Sequence, residues 1–394
     1  MRDWHPHLIL TAGIVLFILC LFVPGCSNNS ENFSQYPGFA EYFEAHPPSS
    51  ELPDQKDKEL IYRYRPRFML AEGNQMPVDF YRDYISSGVL KNGDGEILSR
   101  RVTQEILNEY RDEPETVFEH VERTSAGNAV VYGAINRITT PLQRDKDRIN
   151  QPLTFLSYHM VFRTSGLPFG IPGWQEAILD IIGDVNDWHQ LDHYTAVFLV
   201  LAGDGVDKEK PIAVMLQQHN NVRTYLFEER ILMPLDKRVV IDVAKRSNEL
   251  YPHNKGRTEH RAVNMPDPAS MHFLLSGKKK PLLGGCDVTD SALEVNYELS
   301  FLPPDDAFYT FKGFLGEKRL LPGRTGPQGA YYNTLPELKP LDIQLFSGYW
   351  REDHAGDLDR LKSTIMDNGD YVGFALLQKK EFIKTMKDLE ERYE

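Results

Sequence analysis

The fold is decided by residues 183–221, whose sequence is GDVNDWHQLDHYTAVFLVLAGDGVDKEKPIAVMLQQHNN. Within this stretch, Tyr194–Ala202 and Pro211–His219 are two apolar runs separated by a polar break. Short continuous apolar runs are typical of strands that are buried on both faces of a sheet. We therefore predict two central strands here, which give the polar residues in front of the first run a rigid support.

Those polar residues form a candidate site for a divalent metal ion. Acidic and imidazole side chains crowd into ten positions, namely Asp184, Asp187, His189, Asp192 and His193. In an extended chain Asp187, His189 and His193 share one face, and in a helical turn Asp192 takes the place of Asp187. The two histidines therefore lie together in both cases. His219 is a further candidate ligand if the two predicted strands run side by side.

The ligand types leave the metal and the role of this site open. Mixed imidazole and carboxylate ligands suit Zn²⁺, Mn²⁺ or Fe²⁺, whereas an oxygen-rich set suits Ca²⁺ or Mg²⁺. No standard metalloenzyme signature such as H-E-x-x-H occurs in the sequence. The alternative is a polar loop around Trp188, in which these residues bond to one another or cap backbone groups.

The N-terminal residues predict a lipid anchor. Arg2 precedes the apolar segment Leu8–Val23, which is short for a transmembrane span. The segment ends in Val23-Pro24-Gly25-Cys26, which resembles the bacterial lipoprotein signal, with Cys26 as the acylated first residue of the mature chain. Ser27 stands where an inner-membrane retention signal usually has Asp, which favours the outer membrane. An uncleaved membrane anchor is the alternative.

Charge and cysteine content restrict the partners and the compartment. The 394 residues carry a formal net charge of −13, which argues against binding to nucleic acid or to anionic lipid. The predicted partners are the membrane, reached through the lipid, and an unknown ligand or protein of the cell envelope. Of the three cysteines, only Cys286 is left once Cys20 is removed with the signal and Cys26 is acylated, so the mature chain has no intramolecular disulfide.

The rest of the chain predicts one mainly β domain, α+β overall. We predict a signal peptide over residues 1–25, a tether over 26–58, a β-sandwich with connecting helices over 59–350, and a helical appendage over 351–394. Further predicted strands are Leu60–Leu70, Ala129–Asn136, Leu153–Phe162 and Arg238–Ala244, and further predicted helices are Thr103–Glu113 and Lys379–Tyr393. We expect Asp242, within the last of these strands, to face solvent, because a buried carboxylate would need a partner.

Several motifs resemble, in order, a superfamily that joins the necrosis-inducing (NPP-type) toxins to the vacuolar-protein-sorting-sixty-two-like proteins. The toxin heptad G-H-R-H-D-W-E is similar to Gly183–His189, which keeps Gly183, Asp187 and Trp188. The other similar segments are Tyr62–Pro66, Leu156–His159, Gln218-His219, Val239–Ala244 with Ser247-Asn248 and Tyr251, and Phe311–Gly316. The resemblance covers roughly residues 60–329.

The resemblance implies a β-sandwich with connecting helices. In the toxins, carboxylates and a histidine bind a divalent cation at the end of the sandwich, and the surface engages sphingolipid headgroups of the host membrane. Only Asp187 carries over directly as a ligand, although Asp184, His189 and His193 are competent donors. The sequence departs from the family pattern elsewhere, since Asn248 and Leu315 stand where the family has a histidine and an aromatic residue.

Three functions follow from these observations. The first is a non-catalytic, lipid-anchored envelope protein that binds a ligand or partner through loops organised by a divalent ion. The second is a metal-dependent envelope hydrolase in which His189, His193 and an Asp hold a metal-activated water molecule and another carboxylate acts as the base. The third is a membrane-active, toxin-like protein, but a lipid-anchored acidic protein has no evident route to a host membrane.

Overall fold

The computed structural model describes residues 50–120, 127–138, 142–144, 147–149, 153–166, 169, 191, 195–202, 210–218, 221–227, 238–253, 258–261 and 286–316. The helices are α1 (Gln55–Tyr64), α2 (Gln104–Glu109) and α3 (Ala307–Thr310), and a π-helical turn (Phe80–Tyr84) runs into a 3-10 turn (Ile85–Ser87). The strands are β1 (Arg67–Ala71), β2 (Gly88–Lys91), β3 (Ile97–Ser99), β4 (Val117–His120), β5 (Ala129–Ile138), β6 (Leu142–Arg144), β7 (Asp147–Ile149), β8 (Leu153–Met160), β9 (Ala196–Ala202), β10 (Lys210–Gln218), β11 (Asn221–Leu226), β12 (Val240–Val243), β13 (Leu250–Pro252), β14 (Glu259–Arg261), β15 (Cys286–Val288), β16 (Ser291–Glu294) and β17 (Tyr297–Ser300).

A six-stranded sheet in the order β11-β10-β9-β8-β5-β17 forms the centre of the fold. The two apolar runs that decide the fold are β9 and β10, and they pair antiparallel with Val197 opposite Leu216. The predicted strands over Ala129–Asn136 and Leu153–Phe162 are β5 and β8, which pair with each other. These sequence predictions are confirmed. Runs of this apolarity are stable only where both faces of the strand are covered.

A second sheet, in the order β13-β12-β1-β16, packs against one face of the six-stranded sheet. Phe68 from β1 and Ile241 from β12 are fully buried between the two sheets, as are Val197 and Val214 from the central strands. Alternation along each strand sends one set of side chains into this layer. The two sheets thus form the predicted sandwich.

Helices and a small sheet cover the opposite face of the six-stranded sheet. The three-stranded sheet β3-β2-β4 contributes Phe118, and the segment around α3 contributes Phe308. Both pack with Tyr132 of β5 in a second apolar cluster that also includes Leu191. The central sheet is therefore buried on both faces, and its residue His159 is a core residue that meets the rings of Phe198, Phe308 and Tyr309 edge-on.

The first described helix corrects the expected strand over Leu60–Leu70. Residues up to Tyr64 are helical as α1, which begins within the stretch predicted to be a tether, and only Arg67–Ala71 is a strand. Asp54 caps the helix by accepting a hydrogen bond from the backbone N–H of Asp57 at 2.8 Å. Alternating bulky and basic residues suggest a strand, but Leu60, Ile61 and Tyr64 also fall on one helical face, and that face is buried.

The fold is mainly β with a few helices, as predicted. The predicted helix over Thr103–Glu113 is confirmed in shorter form as α2, with Thr103 as its N-cap. No helix in the described part of the chain is both long and apolar enough to span a membrane. The helix predicted over Lys379–Tyr393 lies outside the described residues, and the proposed domain limits remain predictions.

Candidate functional site

The residues predicted from the sequence to bind metal or lipid lie outside the described part of the chain. They are Asp184, Asp187, His189, Asp192, His193 and His219 for the metal, and Cys26 for the lipid. Two described residues lie within or near this stretch. Leu191, inside it, is fully buried, and the backbone carbonyl of Thr195, just after it, accepts a hydrogen bond from the backbone N–H of Met160 at 2.8 Å. His219 is a candidate ligand only if the two apolar strands run side by side, and β9 and β10 do pair with each other.

A polar cluster covers the outer face of the four-stranded sheet. On β12, Ile241 and Val243 point into the sandwich core, so Asp242 points to the opposite face. The expectation that Asp242 faces solvent is wrong, because its side chain is only 2% exposed. Its partner is His253, whose Nδ1 lies 2.7 Å from Asp242 Oδ1.

The pairing of Asp242 with His253 fixes the orientation of the imidazole. An ionised carboxylate only accepts hydrogen bonds, so Nδ1 is the donor and Nε2 is left as an acceptor when the ring is neutral. The His253 side chain is 24% exposed, so its ring is reached by solvent while its carboxylate partner is not. A carboxylate that orients a histidine in this way is found behind general bases and metal-ligating histidines.

A second buried carboxylate, Asp287 on β15, lies beside this pair. Asp287 is completely buried and accepts hydrogen bonds from the hydroxyls of Ser247 and Tyr251, both at 2.6 Å. Tyr251 is opposite Asp242 in the β12–β13 pairing, so both side chains lie on the same face of the sheet. Its ring also stacks on His260, with ring centres 3.9 Å apart, and His260 Nε2 lies 3.0 Å from Thr289 Oγ1.

The turn that connects β12 to β13 supplies Ser247 through an unusual backbone conformation. Arg246 and Asn248, on either side of Ser247, have φ angles of 70° and 62°. Non-glycine residues seldom adopt this left-handed conformation, and such residues persist only where their surroundings hold them. Here Asn248 Nδ2 donates to the Thr164 carbonyl at 2.9 Å, and Asn74 Nδ2 donates to the Ala244 carbonyl at 3.1 Å. The turn is thus tied to two other segments.

The arrangement of this outer cluster limits its chemistry. Within the described residues, no three histidine, cysteine, aspartate or glutamate side chains are placed to share a metal ion. The Ser247 hydroxyl donates to a carboxylate, and the hydroxyl beside His260 belongs to Thr289, which is buried away from any substrate. The partly exposed imidazole of His253 is therefore the group of this cluster best placed to meet a ligand.

The sequence indicated some of these residues but missed the one at their centre. Asp242, Ser247 and Tyr251 stand out because they lie in or just after a predicted strand. Asp287 gives no such signal, because it follows the glycine pair Gly284-Gly285 and has no periodic neighbours. Its role depends on the pairing of β14 with β15, which places it opposite His260.

Comparisons with known proteins give a faint likeness to one group of solved structures. No protein-family profile matches the chain, and no curated protein matches it. The crystal structure of the non-toxic protein HaNLP3 has a TM-score of 0.29 and 11% identity, over 68% of this chain and 89% of that chain. A mutant of NLPPya has a TM-score of 0.26 and 13% identity, over 52% of this chain and 71% of that chain. A structure described as a toxin fold as the basis for microbial attack and plant defence has a TM-score of 0.25 and 12% identity, over 52% of this chain and 72% of that chain. The likeness of this chain to the necrosis-inducing-like toxins is a distant resemblance of fold alone.

Proposed function

We propose that this protein is a lipid-anchored protein of the bacterial cell envelope whose β-sandwich binds a ligand or partner through loops at one end. The anchor is the acylated Cys26, and the outer membrane is the favoured destination. A divalent metal ion, held by residues in the stretch 184–193 together with His219, organises the binding loops. The ion would supply a fixed positive charge that holds these loops together at the binding surface.

The pairing of β9 with β10 is the observation that carries this proposal. Because Val197 is opposite Leu216 in an antiparallel pair, the start of β9 lies beside the end of β10. In the sequence, His193 comes three residues before Ala196, at the start of β9, and His219 directly follows Gln218, at the end of β10. The order of the strands therefore supports a site to which both segments contribute. Buried Leu191 anchors the chain on the other side of His193.

The surroundings of two hydroxyl groups in the outer cluster favour binding over catalysis. A nucleophilic hydroxyl needs a neighbouring base that takes its proton and also needs access to the substrate. Ser247 lies beside Asp287 and Thr289 beside His260, but both hydroxyl-bearing residues are only 2% exposed. Both hydroxyls therefore serve to hold the outer cluster together.

A metal-dependent hydrolase is the second candidate, and one observation favours it. The Asp242–His253 pair offers an oriented and partly exposed imidazole, which is what a general base requires. For a hydrolase, His253→Gln would lower kcat for a cleaved substrate such as p-nitrophenyl acetate and leave KM almost unchanged. Equal turnover by the wild-type protein and this variant would remove the observation that favours the hydrolase.

The metal site is tested by titrating the full chain, purified in detergent without chelator, with Zn²⁺, Mn²⁺ and Ca²⁺ in turn. We expect one bound ion per chain and its loss when His189 and His193 are both changed to Ala, with the circular dichroism spectrum unchanged. His253→Ala is the matched control and should keep the ion. Ligation needs neutral imidazole, so affinity should fall as the pH drops through about 6.5. A wild-type chain that binds none of the three ions contradicts the proposed site.

The anchor is tested by labelling cells that express the protein with a radioactive or clickable fatty acid. We expect Cys26→Ser to abolish the label and to release the protein from the membrane fraction. Cys286→Ser is the matched control and should be labelled like the wild type. Label that survives the loss of Cys26 would disprove the lipid anchor and leave the uncleaved N-terminal segment as the alternative.

A further inference from the structure

Arg163 carries a buried guanidinium group that the rest of the described structure leaves unpaired. The residue lies three positions beyond Met160, the last residue of β8, and is partly buried as a whole. Both of its terminal nitrogens, Nη1 and Nη2, are shielded from solvent, and neither has a hydrogen-bond partner among the described residues. Four N–H donors therefore lack acceptors at this point.

Such an arrangement is costly unless something fills it. Burying a charged group without a partner is strongly unfavourable, so buried charges in proteins are usually paired or neutralised. Other arginines in this chain follow that rule even where they are more exposed. Arg67 forms two bonds to Glu294, at 2.8 and 2.6 Å, and Arg137 pairs with Asp57 at 2.7 Å. Among the described residues, Arg163 departs from this pattern and needs an explanation.

One group in the neighbourhood of Arg163 is the Tyr84 hydroxyl. Burial raises the pKa of the Tyr84 hydroxyl, and the positive charge of Arg163 opposes that rise, which places the two groups near each other. The Tyr84 hydroxyl already donates to the Leu315 carbonyl at 3.1 Å, and its ring stacks on His120 with ring centres 4.9 Å apart. Tyr84 is therefore a neighbour of Arg163, but its hydroxyl accepts no hydrogen bond from Nη1 or Nη2.

We propose that Arg163 is the anchor of an oxyanion-binding site, in which a carboxylate or phosphate group accepts hydrogen bonds from both Nη1 and Nη2. The planar guanidinium matches the two oxygens of such a group, and charge-assisted bonds of this kind are among the strongest in proteins. Because His159 of β8 is opposite Ala196 of β9, Arg163 follows the end of β8 at the same end of the sheet where β9 starts. The site requires no metal, so it stands independently of the function proposed above.

The test measures thermal unfolding of the full chain in detergent against increasing inorganic phosphate or sodium acetate, with chloride keeping the ionic strength constant. We expect the Tm of the wild type to rise with at least one of the two anions, because a ligand that binds only the folded state stabilises it. Arg163→Gln should lose the response, and Arg163→Lys should need about tenfold more anion, since Lys lacks the planar fork. Arg67→Gln, which removes an already paired arginine, is the matched control and should respond like the wild type.

A second variant protects the test against misfolding and against a different explanation. At low ionic strength and without added anion, we expect Arg163→Met to unfold at a higher urea concentration than the wild type, because an unpaired buried charge is replaced by an apolar chain. A lower midpoint, together with no anion response in the wild type, would mean that a carboxylate of the chain itself pairs with Arg163 and would overturn the proposal. A wild-type response that Arg163→Gln retains would overturn it as well.

Discussion

Removing a single hydroxyl group from Tyr251 tests whether the outer polar cluster is held together as described. In Tyr251→Phe the ring stays in place, so its stacking on His260 and its packing against the sheet are kept. What is lost is the 2.6 Å hydrogen bond to Asp287, a carboxylate with no exposed surface. The change therefore isolates one donor to a buried acceptor.

The expected loss follows from the chemistry of that acceptor. Hydrogen bonds to charged groups contribute roughly 1.5–3 kcal/mol, about twice a neutral bond, and a buried group left short of a donor keeps its full desolvation cost. We therefore expect Tyr251→Phe to lower the free energy of unfolding by about 2 kcal/mol. Ser247→Ala removes the other hydroxyl on Asp287 at the same distance and should cost a similar amount.

The assay is urea unfolding of the full chain, with Tyr62→Phe as the matched control. Tyr62 is 44% exposed, so its change should stay within about 0.5 kcal/mol of the wild type. In the double variant Tyr251→Phe/Ser247→Ala, the two losses should not add, because both act on one carboxylate. A loss below about 0.5 kcal/mol for Tyr251→Phe, with the double variant fully additive, would refute the idea that Asp287 organises the cluster.

Three further predictions address other parts of the fold. Burial alone would raise the pKa of Asp83, but hydrogen bonds from Arg82 and from backbone N–H groups outweigh it and hold this pKa below its usual value. The free energy of unfolding should therefore fall as the pH drops below about 4, and in urea unfolding at a series of pH values it should fall less steeply in Asp83→Asn than in the wild type. Gly88→Ala should cost about 1–3 kcal/mol in urea unfolding, because the added Cβ would lie 2.1 Å from Phe118 Cζ. Asp306→Ala should lower the thermal midpoint by an amount equivalent to roughly 2 kcal/mol, since this buried carboxylate caps α3.

The central strands could be predicted because the local amino-acid composition alone indicates that they are buried. Tyr194–Ala202 and Pro211–His219 have few polar residues, and a strand covered on both faces needs that composition. The segment Leu60–Leu70 was harder, because its apolar residues fit one face of a helix as well as a strand. The N-cap at Asp54 decides between the two, and it lies just outside the pattern.

The outer polar cluster could be predicted only in part, for a similar reason. Asp242 is conspicuous as a carboxylate within an apolar run, but its burial depends on His253 arriving from the far side of a turn. Asp287 and Arg163 have no local signature at all. What makes each of them notable is the set of groups that the sheets bring around it, and that set comes from distant parts of the chain.

The parallel strand pairs have a consequence for how the chain reaches this fold. Arg67 of β1 pairs with Val240 of β12, and Ala129 of β5 pairs with Tyr297 of β17, so each sheet joins segments that are far apart in sequence. Contacts of this kind require a large loop to close before they form, and they slow folding. Neither sheet can be complete before its last strand in the chain, β16 or β17, has been synthesised. We therefore expect the nascent chain to stay open for a long time, which is the state that the proposed export across a membrane would require.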